Sequence, residues 1–171
     1  MSDAGGRAFA PLIPRAPARA LPWLSVVAGS AAVPLVPVIA PAPLLPPCGL
    51  LMLLAWRLLS PFALRRWAAA PLGFFDDLVS GQPLGSAVLL WSLCFLALEL
   101  VDTRLLFRDF RKDWLLAAAA IAFCLMGGRL VALPLTAPVD TAILLQIAGT
   151  ALLFPLATWI AAAVDARRNY A

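Results

Sequence analysis

Two adjacent aspartates, Asp76 and Asp77, have the clearest potential for chemistry in a chain that is otherwise strongly apolar. They lie in the stretch GFFDDLVSGQPLG, residues 73–85. Adjacent carboxylates can bind a metal and a phosphate, but lipid-modifying enzymes of that kind also need further acids on facing helices and basic residues for the phosphate. The chain has no histidine, the usual general base and commonest metal ligand. We therefore predict no catalytic residue, no metal site and no cofactor, and an enzyme is the least favoured interpretation.

The three cysteines, Cys48, Cys94 and Cys124, lie within or at the edge of apolar segments. Their odd number and lack of paired spacing predict neither a disulfide framework nor a zinc site. We expect them to be small buried apolar side chains.

Composition places the chain among membrane proteins. Hydrophobic residues make up 63% of the 171, charged residues 13%, and the mean hydropathy is +0.94. A soluble domain is usually about half apolar and a quarter charged. The net charge of +4 lies in short clusters between apolar runs, not on one basic face. This distribution predicts contact with membrane lipids and no nucleic-acid partner.

The elements that position the aspartates are six apolar segments, roughly 21–41, 44–60, 62–80, 84–101, 114–135 and 142–164. A helix needs about 20 apolar residues to cross the hydrocarbon core. We predict an all-α integral membrane protein with about six transmembrane helices in one bundle over residues 21–165. A flexible cytoplasmic tail over 1–20 and a short cytoplasmic tail over 166–171 flank it. We interpret the first segment as a retained span, because prolines follow its candidate cleavage sites.

The positions of the basic residues support this count. With six spans and both termini in the cytoplasm, twelve of the thirteen Lys and Arg residues fall on the cytoplasmic side, and Arg129 is the exception. The outer connections have none, as the positive-inside rule requires. Five tryptophans fall near the predicted cytoplasmic ends: Trp23, Trp56, Trp67, Trp114 and Trp159. We predict a multi-pass membrane protein with its N-terminus and C-terminus in the cytoplasm.

Prolines crowd the first outer connection, residues 34–47. Proline removes a helix hydrogen bond, which is tolerated at membrane depth where neighbouring protein satisfies the backbone. We expect a non-helical corner packed against protein, and both a rigid linker and a partner-binding surface fit it.

Inserting a charged side chain at the centre of a membrane-spanning helix costs roughly 2.5–3.5 kcal/mol of free energy, and such groups usually pair with one another. Their depths allow Arg129 to pair with one of the aspartates, and Glu99 to pair with Arg57. Side chains of neighbouring helical residues point about 100° apart, so Asp76 and Asp77 are not expected to face one partner. An ion pair that fixes helix packing, a ligand or proton site, and a partner-recognition role all remain open for them.

Glycines frame the aspartates. Gly73 precedes them, and Gly81, Pro83 and Gly85 follow in the sequence GQPLG. Its spacing fits a helix-dimer motif, but Gln-Pro inside it favours a turn between two helices. Gly127–Gly128 predicts a close helix approach that could bring the third span near Arg129.

The stretches LLMLLAWRLLSPFALRRW, PLGFFDDLVSGQPLGSAVLLWSL and VDTRLLFRDFRKDWLLAAAAIAF together resemble the rod-shape-determining membrane protein family MreD. The similarity covers about residues 45–125, and Gly73, the aspartate pair and Pro83-Leu84-Gly85 carry it. It implies a non-enzymatic component of the bacterial cell-elongation machinery, located in the bacterial inner (cytoplasmic) membrane. Such proteins bind MreC and thereby link the MreB filament to the cell-wall synthases. The family is also similar to the S-components of energy-coupling-factor transporters, which implies a six-helix bundle.

That second similarity leaves an alternative function, a substrate-binding membrane subunit of a vitamin-type transporter. A ligand pocket should gather polar and aromatic groups on the outer loops. The predicted outer connections are short and nearly free of such groups, which disfavours this alternative.

Overall fold

Six α-helices make up nearly all of the described chain. The structure is a computed structural model, and it describes residues 16–35, 45–102, 110–132 and 141–170. The helices are α1 (Ala16–Leu35), α2 (Cys48–Leu59), α3 (Ala69–Ser80), α4 (Ser86–Asp102), α5 (Phe110–Ala132) and α6 (Thr141–Tyr170). A 3₁₀ turn, Arg66–Ala68, precedes α3, and the described ranges contain no strand. The all-α prediction is confirmed.

The short helix α2 lies at the centre of the bundle. Every residue from 49 to 58 is buried, including Trp56 and Arg57. The other helices form a ring around it in the order α1, α3, α4, α5, α6, and α6 contacts α1 to close the ring. Burial on all sides explains why α2 is apolar around its whole circumference.

Successive helices alternate in direction. At one end of the bundle, Trp23 of α1 packs against Trp67, with ring centroids 5.4 Å apart. The last turn of α4 binds Arg57 and Arg66 there. We call this the arginine end. At the opposite end, α3 joins α4 through Gly81 and Gly85, and we call it the glycine end.

Two helices are long and apolar enough to cross a membrane, namely Phe110–Val131 and Thr141–Arg167, each with a mean hydropathy of 1.9. In the 18-residue stretch of each helix that meets the hydropathy requirement for a membrane span, only 22% and 28% of the residues, respectively, are buried. The core helix of a soluble protein would be mostly buried. With 12 residues each, α2 and α3 extend about 18 Å, which is short of the hydrocarbon core.

The helix bounds differ from the predicted ones at several places. α1 begins at Ala16, inside the predicted tail, and α6 continues to Tyr170, into the predicted C-terminal tail. Residues 62–65, predicted to open the third span, form a turn and an extended connection, because the preceding Pro61 cannot continue α2. In the proline-rich corner, predicted to be non-helical over 34–47, Pro34 and Leu35 still belong to α1, so the prediction is wrong there. Residues 36–44 lie outside the described residues, and Leu45–Pro47 is non-helical as predicted.

The bundle has an apolar core that also encloses a few polar groups, and many large apolar side chains face outward. The buried polar residues are Ser30, Arg57, Asp77, Ser86 and Thr150. Most of the exposed large apolar residues lie on α4, α5 and α6, and they include Leu96, Leu130, Leu152 and Trp159. A protein whose surface is in water rarely exposes so many large apolar side chains.

One buried hydrogen bond shows how α6 accommodates an internal proline. Pro155 has no backbone N–H, which leaves the carbonyl of Ala151 without its usual helical donor. The indole Nε1–H of Trp114 donates to that carbonyl at 2.9 Å. The same contact joins α5 to α6.

At the glycine end, the side chain of Gln146 holds the segment before α2. Its Nε2 donates to the carbonyl of Leu45 at 2.8 Å. The described part of the proline-rich corner is thus packed against protein, as predicted.

Candidate functional site

Asp77 binds the first turn of the next helix. Its Oδ1 accepts hydrogen bonds from the amide of Ala87 at 2.9 Å and from the hydroxyl of Ser86 at 3.0 Å. Its Oδ2 accepts from the amides of Gly85 at 2.8 Å and Val88 at 3.5 Å. The first amides of a helix have no partner within it, and their dipoles favour a negative charge. Asp77, 1% exposed, therefore caps α4 from a neighbouring helix.

The turn between α3 and α4 has the backbone shape that its glycines permit. Gly81 has φ of 68° and Gly85 has φ of 96°, both in the left-handed region. The carbonyl of Pro83 accepts a hydrogen bond from the amide of Ser86 at 3.0 Å. The prediction that GQPLG forms a turn is confirmed.

Gly73 lets α3 and α4 approach closely. A Cβ at this position would lie 2.8 Å from the carbonyl oxygen of Ala87 and 2.9 Å from the amide nitrogen of Val88. Both are backbone atoms and cannot rotate away. Gly73 and Asp77 are one turn apart on the same face, so the pair forms one docking surface for the start of α4.

Asp76 faces different neighbours. Its Oδ1 would lie 3.1 Å from a Cβ placed on Gly49 of α2, and the same Cβ would overlap the hydroxyl of Ser30 on α1. Asp76 thus lies beside α1 and α2, while Asp77 turns toward α4. The predicted divergence of the two side chains is confirmed.

The predicted pairing with Arg129 is wrong. Among the described residues, no ion pair joins Arg129 to Asp76 or Asp77. Backbone amides at the start of α4 donate hydrogen bonds to the carboxylate of Asp77. They stabilise its negative charge, a role that we expected an arginine to have. Gly127 does permit a close approach, but to α4: a Cβ there would lie 2.5 Å from Leu90.

Two ion pairs close the arginine end, and their partners differ from the predicted ones. Arg57 binds Asp102, with Nη2 and Oδ2 3.0 Å apart, and Glu99 binds Arg66, with Oε1 and Nη2 2.7 Å apart. The expected pair of Arg57 with Glu99 is wrong. Arg57 is 9% exposed at its side chain, and Asp102, one turn nearer the helix end, is the carboxylate that it meets.

Arg57 lines a cavity of about 510 Å³ between the turn after α2 and the last turns of α4. Its guanidinium carbon lies 5.8 Å from the ring centroid of Phe95. Its Nη1 is buried without a hydrogen-bond partner in the described chain. The cavity also has Arg65 and Arg66 in its wall.

The cysteines differ in burial. Cys94 and Cys124 are buried as predicted, whereas Cys48 is half-buried. The sulfurs of Cys94 and Cys124 lie 3.3 Å apart, which joins α4 to α5 and which their spacing did not predict. Within the described ranges, no group of three or more His, Cys, Asp or Glu residues could hold a metal ion.

No family model, no curated protein and no solved structure matches the chain. The chemistry of the two ends must therefore be inferred from their geometry. At the glycine end, the hydrogen bonds of Asp77 hold the start of α4. Asp76 is the less buried of the two carboxylates. At the arginine end, a buried cation and two exposed ones meet a cavity.

Sequence reasoning missed three residues of these sites. Ser86 and Asp102 lie at the two ends of α4, and Arg66 lies in the turn before α3. Ser86 has a residue type that is favoured at helix N-termini. Asp102 is three residues beyond Glu99, so the spacing placed both on one helix face.

Proposed function

We propose that the chain is a multi-pass inner-membrane protein with six spans, whose termini lie in the cytoplasm. The apolar exterior of α4 to α6 supports this placement, as do two helices long enough to cross the bilayer. Alternating helix directions put Arg57, Arg65 and Arg66 at the end that the positive-inside rule assigns to the cytoplasm. The short α2 is then sheltered by its neighbours, while α3 exposes Phe74 and Leu78 to the lipid.

Within that membrane, the chain is proposed to act as an MreD-like component of the cell-elongation complex. It binds MreC, and through MreC it couples the MreB cytoskeleton to peptidoglycan synthesis and cell shape. The bundle is proposed to be similar to energy-coupling-factor S-components. The observation that carries the proposal is that the residues of the resembling motif, apart from Asp76, lie together at one junction. Gly73, Asp77 and Gly85 together build the junction of α3 with α4.

This junction suggests where MreC binds. Asp77 is buried and engaged with amides, so it shapes the partner surface without touching the partner. The turn that it holds is exposed from Gly81 to Gly85, and Leu84 presents an apolar side chain there. An exposed apolar side chain on a turn that is already held in one conformation can pack against a partner at a low cost in ordering.

Depletion in the rod-shaped host tests the proposal. We expect depleted cells to become round, and expression of the intact chain to restore rods. Leu84→Ala should fail to restore rods. Leu152→Ala, which trims an equally exposed side chain on α6, should restore them. Normal rods after complete depletion would contradict the proposal.

A further inference from the structure

The cavity at the arginine end has more positive than negative charge. Three guanidinium groups and two carboxylates line it. Asp102 and Glu99 each pair with one arginine, and no ion pair of Arg65 occurs within the described chain. Among the described residues that line the cavity, the positive charges therefore exceed the negative ones by one.

A buried nitrogen of Arg57 is a second indication that the cavity binds an anion. Arg57 is bonded to Asp102 through Nη2, while its Nη1 has no hydrogen-bond partner in the described chain. An unsatisfied buried donor on a charged group is costly, and native proteins usually compensate it. An anion in the adjacent cavity would stabilise this guanidinium electrostatically.

The rest of the cavity wall is apolar and aromatic. Phe62 is fully exposed and Trp67 is largely exposed, and Pro61, Leu64 and Phe95 also line the cavity. Aromatic side chains of this kind prefer the boundary between lipid and water. A ligand that fits must carry an anionic group on an apolar body.

We propose that this cavity binds the phosphate headgroup of an anionic phospholipid from the cytoplasmic leaflet. Arg65 and Arg66 contact the phosphate at the surface, Arg57 supplies positive charge from below, and Phe62 and Trp67 pack against the glycerol and upper acyl chain. Basic pockets at the cytoplasmic ends of membrane helices bind such headgroups. This proposal depends on the membrane placement given above, but not on the role in cell elongation.

Binding can be measured on the intact, detergent-purified chain by native mass spectrometry. The probes are phosphatidylglycerol and phosphatidylcholine with identical acyl chains. We expect phosphatidylglycerol to bind the chain more tightly. Arg65→Gln should weaken this binding about fivefold, the effect of one basic residue near a phosphate. Arg65→Lys should retain most of it.

Arg167→Gln is the matched control, because it removes one exposed arginine from α6 outside the cavity. It should leave phosphatidylglycerol affinity unchanged. Equal binding of the two lipids, or equal losses in Arg65→Gln and Arg167→Gln, would overturn the proposal. Displacement of the lipid by excess inorganic phosphate would instead assign the cavity to a soluble phosphate.

Membrane extraction separates failure of this proposal from failure of the membrane placement. If alkaline carbonate releases the chain from host membranes, the placement itself is wrong. If the chain stays in the membrane fraction and the two lipids bind equally, the headgroup proposal alone fails.

Discussion

The carboxylate of Asp77 on α3 accepts a 2.9 Å hydrogen bond from the backbone amide of Ala87 on α4. Helices are usually capped by a residue just before their own first turn. Here the capping group comes from the preceding helix, ten residues earlier in the chain. The cap therefore also fixes the angle between two helices, and its loss affects tertiary as well as local structure.

Replacing Asp77 should destabilise the protein more than replacing Asp76. Asp77→Ala leaves two close amides without their acceptor and removes the shorter of two hydrogen bonds of the Ser86 hydroxyl, and should cost about 2 kcal/mol in unfolding free energy. Asp77→Asn keeps an acceptor oxygen and should cost less. Asp76→Ala is the control and should have a smaller effect than Asp77→Ala. Thermal unfolding in detergent, followed by circular dichroism, measures these differences, and equal losses at the two aspartates would contradict the capping role.

Gly73→Ala should also destabilise the bundle, because the new methyl group would push against the backbone of Ala87. We expect a loss of about 1–3 kcal/mol in the same unfolding assay. Gly149→Ala provides the control, since a Cβ there meets no atom within 4 Å. Alanine favours a helix over glycine, so that variant should be as stable as the parent or up to about 1 kcal/mol more stable. A neutral Gly73→Ala would show that α3 and α4 are less closely packed.

The two ion pairs of the arginine end should differ in strength. Asp102→Asn removes the carboxylate from the buried Arg57 and should cost about 3 kcal/mol, because an uncompensated buried charge remains. Glu99→Gln removes the partner of Arg66, whose side chain is 87% exposed, and should cost below about 1 kcal/mol. Both losses are read from thermal unfolding. A larger loss for Glu99→Gln would mean that burial does not decide the contribution of each pair.

Composition and hydrophobic segments were enough to predict the helical class and the approximate positions of the helices. Proline and glycine were enough to predict the turn between α3 and α4 and the non-helical segment before α2. These features depend on local chemistry, since a proline or a left-handed glycine limits the backbone wherever it occurs.

Partner choice was not predictable from depth along a helix. Depth estimates allowed Arg129 to meet the aspartates and Arg57 to meet Glu99, but they give no rotation about the helix axis. Rotation decides that Asp77 faces α4 and that Arg57 faces Asp102. The estimates also treated charged side chains as the available partners, whereas backbone amides at a helix start compensate a carboxylate equally well.

Affinity purification from host membranes tests the central proposal most directly. The tagged chain is extracted in mild detergent, with an unrelated multi-pass protein carrying the same tag as the control, and co-purifying chains are identified by mass spectrometry. We predict that MreC is recovered with the chain and not with the control, and that Leu84→Ala reduces its recovery while Leu152→Ala does not. Recovery of a transporter ATPase module without MreC would contradict the proposal and favour a substrate-binding subunit of a transporter.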